Sequence, residues 1–295
     1  MTRCLLILAL LLSVMPSWGQ EKTLTLATYT YATNNRLENL RPLGAFLSTW
    51  TGARVNVVSY PTVKALIRAI NHDSVDLAMM NTSGYLVLQR NQPGKAIPLV
   101  NLAMGNAQQT NYGGCLLVTK NTGITSVDQL KGKKLRLALV ASSSTSGNLV
   151  PRLLLNAAGI PDADKVMEVY YAGTHKKVVE DLLAGNADLG GCGCAEVDAA
   201  KRAGQFDSKL LVLADYNNIP LGPIVYRKGI DAQLIEKARS ALLEVHRKDP
   251  AAFLQFCKGW TEFAQATQFT PVTDSAYDPF RQLFGDNQLL WRLIE

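Results

Sequence analysis

The sequence predicts an α/β protein of two lobes, each a mainly parallel sheet flanked by helices, hinged about a central cleft. Three observations lead there. Short apolar strand-like runs alternate with helix-period segments, and the alternation falls into two rounds divided near residue 112. Residues 20–295 also suffice for two cores of roughly 100–150 residues each. Such alternation implies parallel strands whose crossover helices cover the sheet faces.

Residues 1–19 stand apart. One positive charge (Arg3), an apolar run from Cys4 to Leu12, Pro16 and a small-residue exit at Ser17-Trp18-Gly19 make up the pattern of a secretory signal peptide. The run falls short of the ~20 residues needed to span a bilayer. Cys4 opens that run rather than closing it after a small residue, which argues against a lipid-anchored cysteine. The expectation is an exported chain, free in the periplasm and beginning near Gln20.

The first round opens with the alternating strand Thr23–Tyr29, followed by a helix over Leu37–Thr51 that Gly52 ends. A strand at Arg54–Ser59, a helix at Thr62–Asn71 and a strand at Val75–Met80 complete it. A strand at Tyr112–Thr119 leads to the capping box Ser126-Val127-Asp128-Gln129. The second round then runs as strand 136–140, helix 147–158, strand 166–170, helix 174–184 and strand 187–190. After strand 210–214, Ile224–Tyr226 reads as the return crossing, and helices at 232–248 and 251–257 are expected to pack on the first lobe. The lobes are therefore residues 20–111 plus 224–295, and residues 112–223. Facing α/β lobes set strand ends and helix N-termini around a shared cleft of the kind that takes small solutes.

Composition narrows the chemistry. Without Arg3 the chain carries 29 basic and 24 acidic side chains and no Lys/Arg run, which argues against a nucleic-acid partner. No H-E-x-x-H, G-x-S-x-G or Walker loop is present, and Cys192-x-Cys194 with His175 fits no common zinc spacing. The expectation is a binding protein rather than an enzyme, a monomer without metal or cofactor. Four cysteines remain past residue 19: Cys115, Cys192, Cys194 and Cys257. In an oxidising compartment an even number implies disulfides, though the pairing is not readable; Cys192 with Cys194 would close a strained ring.

The strongest local motif is Ala141-Ser142-Ser143-Ser144-Thr145-Ser146-Gly147 between a strand and a helix. Hydroxyls and free N–H groups at a helix N-terminus suit an anion, and the same residues suit an ordinary N-cap; both readings stand on local sequence. Asn81-Thr82-Ser83-Gly84-Tyr85 offers similar geometry from the other lobe. His175 opens a helix, where an imidazole can donate beside free N–H groups.

Several segments together resemble the type II periplasmic binding proteins for phosphate, phosphite and phosphonate that serve ATP-driven importers. They are Leu43–Leu47 with Thr51-Gly52, Val75–Ala78 leading to Tyr85, Asp128–Lys133, Ser144–Gly147 with Pro151, and Gly173-Thr174-His175 with Gly185–Asp188. The resemblance implies that Ser144, Thr145, Ser146 and His175 hold an anionic head group while Tyr85, Tyr29 and Tyr31 close the pocket from the first lobe. It implies a small oxyanion as ligand and a membrane permease as partner. Gly190–Ala195 stands where aminophosphonate binders carry acidic side chains, so the resemblance does not extend to an aminophosphonate pocket. Cys115, on a strand expected beside the cleft, is similar to the ligand-binding cysteine of the family's arsenite-sensing branch, which signals to a sensor kinase. In that alternative Cys192 and Cys194 are further thiol ligands.

Overall fold

The computed structural model describes residues 22–31, 36–105, 111–285 and 288–292. The signal-peptide expectation, residues 1–19, lies outside the described residues. Among the described residues eleven strands form two sheets. The strands are β1 (Thr23–Tyr29), β2 (Arg54–Tyr60), β3 (Leu77–Met79), β4 (Ala96–Met104), β5 (Asn111–Thr119), β6 (Arg136–Leu139), β7 (Glu168–Tyr171), β8 (Leu189–Gly193), β9 (Leu210–Pro220), β10 (Ile224–Arg227) and β11 (Ala266–Pro271). The helices around the two sheets include α1 (Arg36–Thr51), α2 (Val63–Asn71), α3 (Thr82–Asn91), α4 (Val150–Ala157), α5 (Ala163–Val166), α6 (His175–Leu183), α7 (Cys194–Arg202), α8 (Ala232–Lys248) and α9 (Pro250–Cys257).

The first sheet has the order β11-β4-β10-β3-β1-β2 and the second β7-β6-β8-β5-β9. The chain passes from the first to the second between β4 and β5 and returns between β9 and β10. Both sheets are mixed. The pairs β1–β2, β1–β3, β6–β7 and β6–β8 are parallel. The strands at the crossings, β4, β5, β9 and β10, pair antiparallel, since a chain that leaves a sheet and returns runs back against its neighbours.

Alternation along the strands sorts residues onto two faces of each sheet. Leu24 and Leu26 of β1 enter a core with α1, α8 and α9, where Leu40, Leu43 and Leu47 meet Leu242 and Phe256. Ala27 and Tyr29 face the opposite core with Leu66, Ile70 and Tyr85. In β6, Leu137 and Leu139 face one core, and Ala138, with Val140 just past the strand, the other. Each fully buried leucine contributes about 1.5–3 kcal/mol.

Two strands lack the sequence signal. β4 contains Pro98, yet β11 pairs only with Val100–Met104, and the β10 ladder shifts register beside Pro98, so its missing N–H costs no bond in a regular ladder. β11 is a polar edge strand with little alternation. Among the described residues no helix is long and apolar enough to cross a membrane.

Candidate functional site

The Ser/Thr turn after β6 is built by local bonds. Ser144 caps it, its hydroxyl accepting from the Gly147 N–H at 3.1 Å, and Thr145–Leu149 winds as a single π turn into α4. Asn148, wholly buried, donates to the Ser142 carbonyl at 2.7 Å. The glycine at 147 is required, because a Cβ there would lie 2.3 Å from the Val140 side chain. Gly191 has the same reason: a Cβ would meet Pro151 at 2.4 Å, so the glycine-rich β8 lets α4 lie directly against it.

The corresponding loop of the first sheet clasps this turn. Asn81 Nδ2 and the Ser83 hydroxyl both donate to the Ser143 carbonyl, at 2.6 and 2.7 Å, and the Ser83 N–H donates to the Thr145 hydroxyl at 3.1 Å. Thr82 donates to the Pro220 carbonyl at the return crossing. The donors of 81–83 therefore hold the two halves together, and only Asn81 also faces the cavity beside them.

That cavity is lined by Tyr29, Tyr31, Arg36, Tyr112, the Ser143–Ser146 turn, His175 and Glu262. Its volume is about 30 Å³, on a scale where one water needs ~10–15 Å³, so it suits a small compact group. A wider cleft of about 510 Å³ adjoins it, sharing Tyr112, Ser146, His175, Thr261 and Glu262 and adding Glu196, Asp198 and Arg202.

Sequence reasoning missed Arg36. It is 4% exposed, its Nε donates to the Gly259 carbonyl at 3.0 Å, and its guanidinium sits 4.5–4.6 Å from the centroids of Tyr29, Tyr31 and Trp260. Its Nη1 is buried with no hydrogen-bond partner among the described residues, and the same holds for the Tyr31 hydroxyl. Unpartnered buried donors are rare and mark a place where something else accepts. A cation at a helix N-terminus opposes the helix dipole, the one local signal that Arg36 serves more than α1.

His175 is the neutral donor. Its Nδ1 accepts from the Gly193 N–H at 2.9 Å, which leaves the proton on Nε2. Burial, and then the Arg36 charge, pull its pKa down to about 4. Burial likewise raises the Tyr29, Tyr31 and Tyr112 phenols, keeping them as O–H donors. Glu262 is pushed above the usual carboxylate range by burial, with Arg36 opposing.

Ser144, Thr145, Ser146, His175, Tyr29 and Tyr31 thus meet at one cavity. Tyr85 does not. It is fully buried, packs 4.6 Å from Tyr277 and donates to Asp274, because position 85 lies on the core-facing side of α3. The expectation of cleft thiols is also corrected. Cys115 on β5 is bonded to Cys194 at the start of α7 across a Cα separation of 5.3 Å, so neither presents a thiolate. Cys192, opposite Cys115 in the β5–β8 register, points into the core, where burial raises its thiol pKa. Among the described residues no cluster of three or more His, Cys, Asp or Glu is arranged to hold a metal ion.

Two α/β halves enclose a pocket of neutral donors, one arginine and one carboxyl, a site shaped for a small solute. A family model described as "ABC transporter, phosphonate, periplasmic substrate-binding protein" matches residues 27–277. The chain belongs to that family: the phosphonate-binding periplasmic components of ABC transporters, which work with a membrane permease. Solved structures share the fold. PhnD1 of Prochlorococcus marinus in complex with methylphosphonate is 17% identical, with TM-score 0.70, 89% of this chain and 97% of that one covered. A Xanthomonas citri protein bound to ATP is 22% identical, with TM-score 0.73 and coverage of 93% and 100%. The aliphatic sulphonate binding protein of Escherichia coli is 14% identical, with TM-score 0.55 and coverage of 92% and 89%.

Proposed function

We propose that the small cavity holds the anionic head group of a phosphonate and that the wider cleft takes its substituent. The observation that carries this reading is the buried, unpartnered Nη1 of Arg36 in a cavity shared with the Ser144–Ser146 turn. Arg36 supplies the charge; Ser146, His175 Nε2 and the Tyr31 hydroxyl supply neutral donors. A charge held in a cage of rings, with donors already oriented, spends little on reorganisation when the anion arrives.

The lobes in this reading are residues 20–111 with 224–295, and residues 112–223. The clasp between Ser143–Thr145 and Asn81–Ser83 favours the closed arrangement that a permease reads, and residues 1–19 direct the chain to the periplasm. The aliphatic substituent of a methyl- or ethylphosphonate is small against the 510 Å³ cleft, so larger phosphonates fit as well.

Calorimetry of the exported chain against methylphosphonate tests the assignment. Ser146→Ala should weaken binding by about ten- to a hundredfold, as expected for one hydrogen bond to a charged group. Unchanged affinity in Ser146→Ala and Arg36→Ala together would move the site elsewhere.

A further inference from the structure

Among the described residues lining the small cavity, Glu262 is the only carboxyl. It is out of place beside an anion. An ionised carboxylate accepts hydrogen bonds and donates none, and two negative groups in a part-buried pocket repel more strongly than in water. Among the described residues its hydrogen bond to another residue is a long contact from the adjacent Thr261 hydroxyl at 3.4 Å, and Arg36 acts on it through its charge. The pairing becomes favourable only with a proton between the two oxygens.

We infer that Glu262 is a specificity-determining residue: it shares one proton with a ligand oxygen and so selects hydrogen phosphonates over sulfonates of the same shape. The inference rests on the phosphonate-head-group reading of the cavity. A phosphonate loses its second proton near neutrality, so an O–H is available to donate to the carboxylate. A sulfonate is a strong acid with no proton to give, and Glu262 must then be protonated from solvent before the anion can sit beside it. No bond to phosphorus or sulfur forms or breaks.

The charged and titratable groups facing Glu262 are Arg36, His175, Tyr29, Tyr31 and Tyr112 in the cavity, with Glu196, Asp198 and Arg202 in the wider cleft. Burial raises the Glu262 pKa and the Arg36 charge opposes it, so its carboxylate is a stronger proton acceptor than a solvated one, and His175, whose Nδ1 already accepts from the Gly193 N–H, does not compete for that role. The backbone does not make the choice, since chains that bind methylphosphonate and chains that bind sulphonates share this fold.

The test is calorimetric titration at neutral pH with methylphosphonate and methanesulfonate. The parent should prefer methylphosphonate by about tenfold or more, the worth of one charge-assisted hydrogen bond. Glu262→Gln, whose amide donates without an added proton, should bring the ratio down to about threefold or less, with methanesulfonate gaining affinity. Glu262→Ala should also lose the preference. Thermal melts of both variants report folding, and the parent's own ratio is informative without either. No preference in the parent, or a parental ratio retained in Glu262→Gln, overturns the inference while leaving the phosphonate site standing. Retained selectivity with a selective loss of 2-aminoethylphosphonate would instead give Glu262 to an ammonium group, which also overturns it. A parent that binds neither anion removes the phosphonate reading itself.

Discussion

The backbone N–H of Gly193 donates to Nδ1 of His175 at 2.9 Å, and the next residue, Cys194, is tied by a disulfide to Cys115 on β5. One covalent link therefore stands directly behind the imidazole that faces the cavity. The bond sets the tautomer and the link sets the position of the group that makes it.

Holding His175 neutral has a cost in acid. Its folded pKa is lowered from 6.5 to about 4, so the unfolded chain binds the proton more tightly. Its contribution to stability is complete above pH 6.5 and is lost as the pH falls toward 4. His175→Asn, which keeps an acceptor for the Gly193 N–H, should flatten this part of the melting temperature against pH. An unchanged profile would mean that His175 is not held neutral by the fold.

Reducing the disulfide should destabilise the second sheet. The closed loop spans 79 residues, and loss of such a link costs about 2–4 kcal/mol. Cys115→Ser and Cys194→Ser should each lower the denaturation midpoint and also weaken methylphosphonate binding, because α7 and Gly193 lose their anchor. Melting with and without a reductant reads the first effect, and calorimetry reads the second.

Arg36→Lys should fail to replace arginine. The guanidinium is planar and stacks among three rings while donating to Gly259, whereas an ammonium is a point charge without that fork. Both Arg36→Lys and Arg36→Ala should lose affinity by about 1.5–3 kcal/mol. Full affinity in the lysine variant would show that charge alone is needed.

Tyr85→Phe separates structure from binding. It deletes the bond to Asp274 and should cost about 1 kcal/mol of stability while leaving methylphosphonate affinity unchanged. A marked loss of affinity would return Tyr85 to the pocket.

Part of the candidate site was legible because it is local. A strand, a hydroxyl-rich turn and a helix start are written in consecutive residues, so Ser144, Thr145 and Ser146 were readable, as was His175 at the head of its helix. Tyr29 and Tyr31, at and just beyond the end of β1, came from the family resemblance rather than from any local pattern. Tyr85 misled because its neighbourhood matched a motif while its place on α3 turned it into the core.

Local patterns alone carry the alternation of strands and helices, the two rounds that become two sheets, and the polar turn at the end of β6. Which distant residues meet there is set by the packing of the whole chain. Arg36 and Glu262, from opposite ends of the chain, face one cavity because the return crossing carries the C-terminal segment back beside the N-terminal strands. Cys115 finds Cys194 rather than Cys192 by the way β5, β8 and α7 pack. Periodicity reports the face on which a side chain lies, whereas its partner across the fold depends on strand order, register and crossings, which are long-range properties of the packed chain.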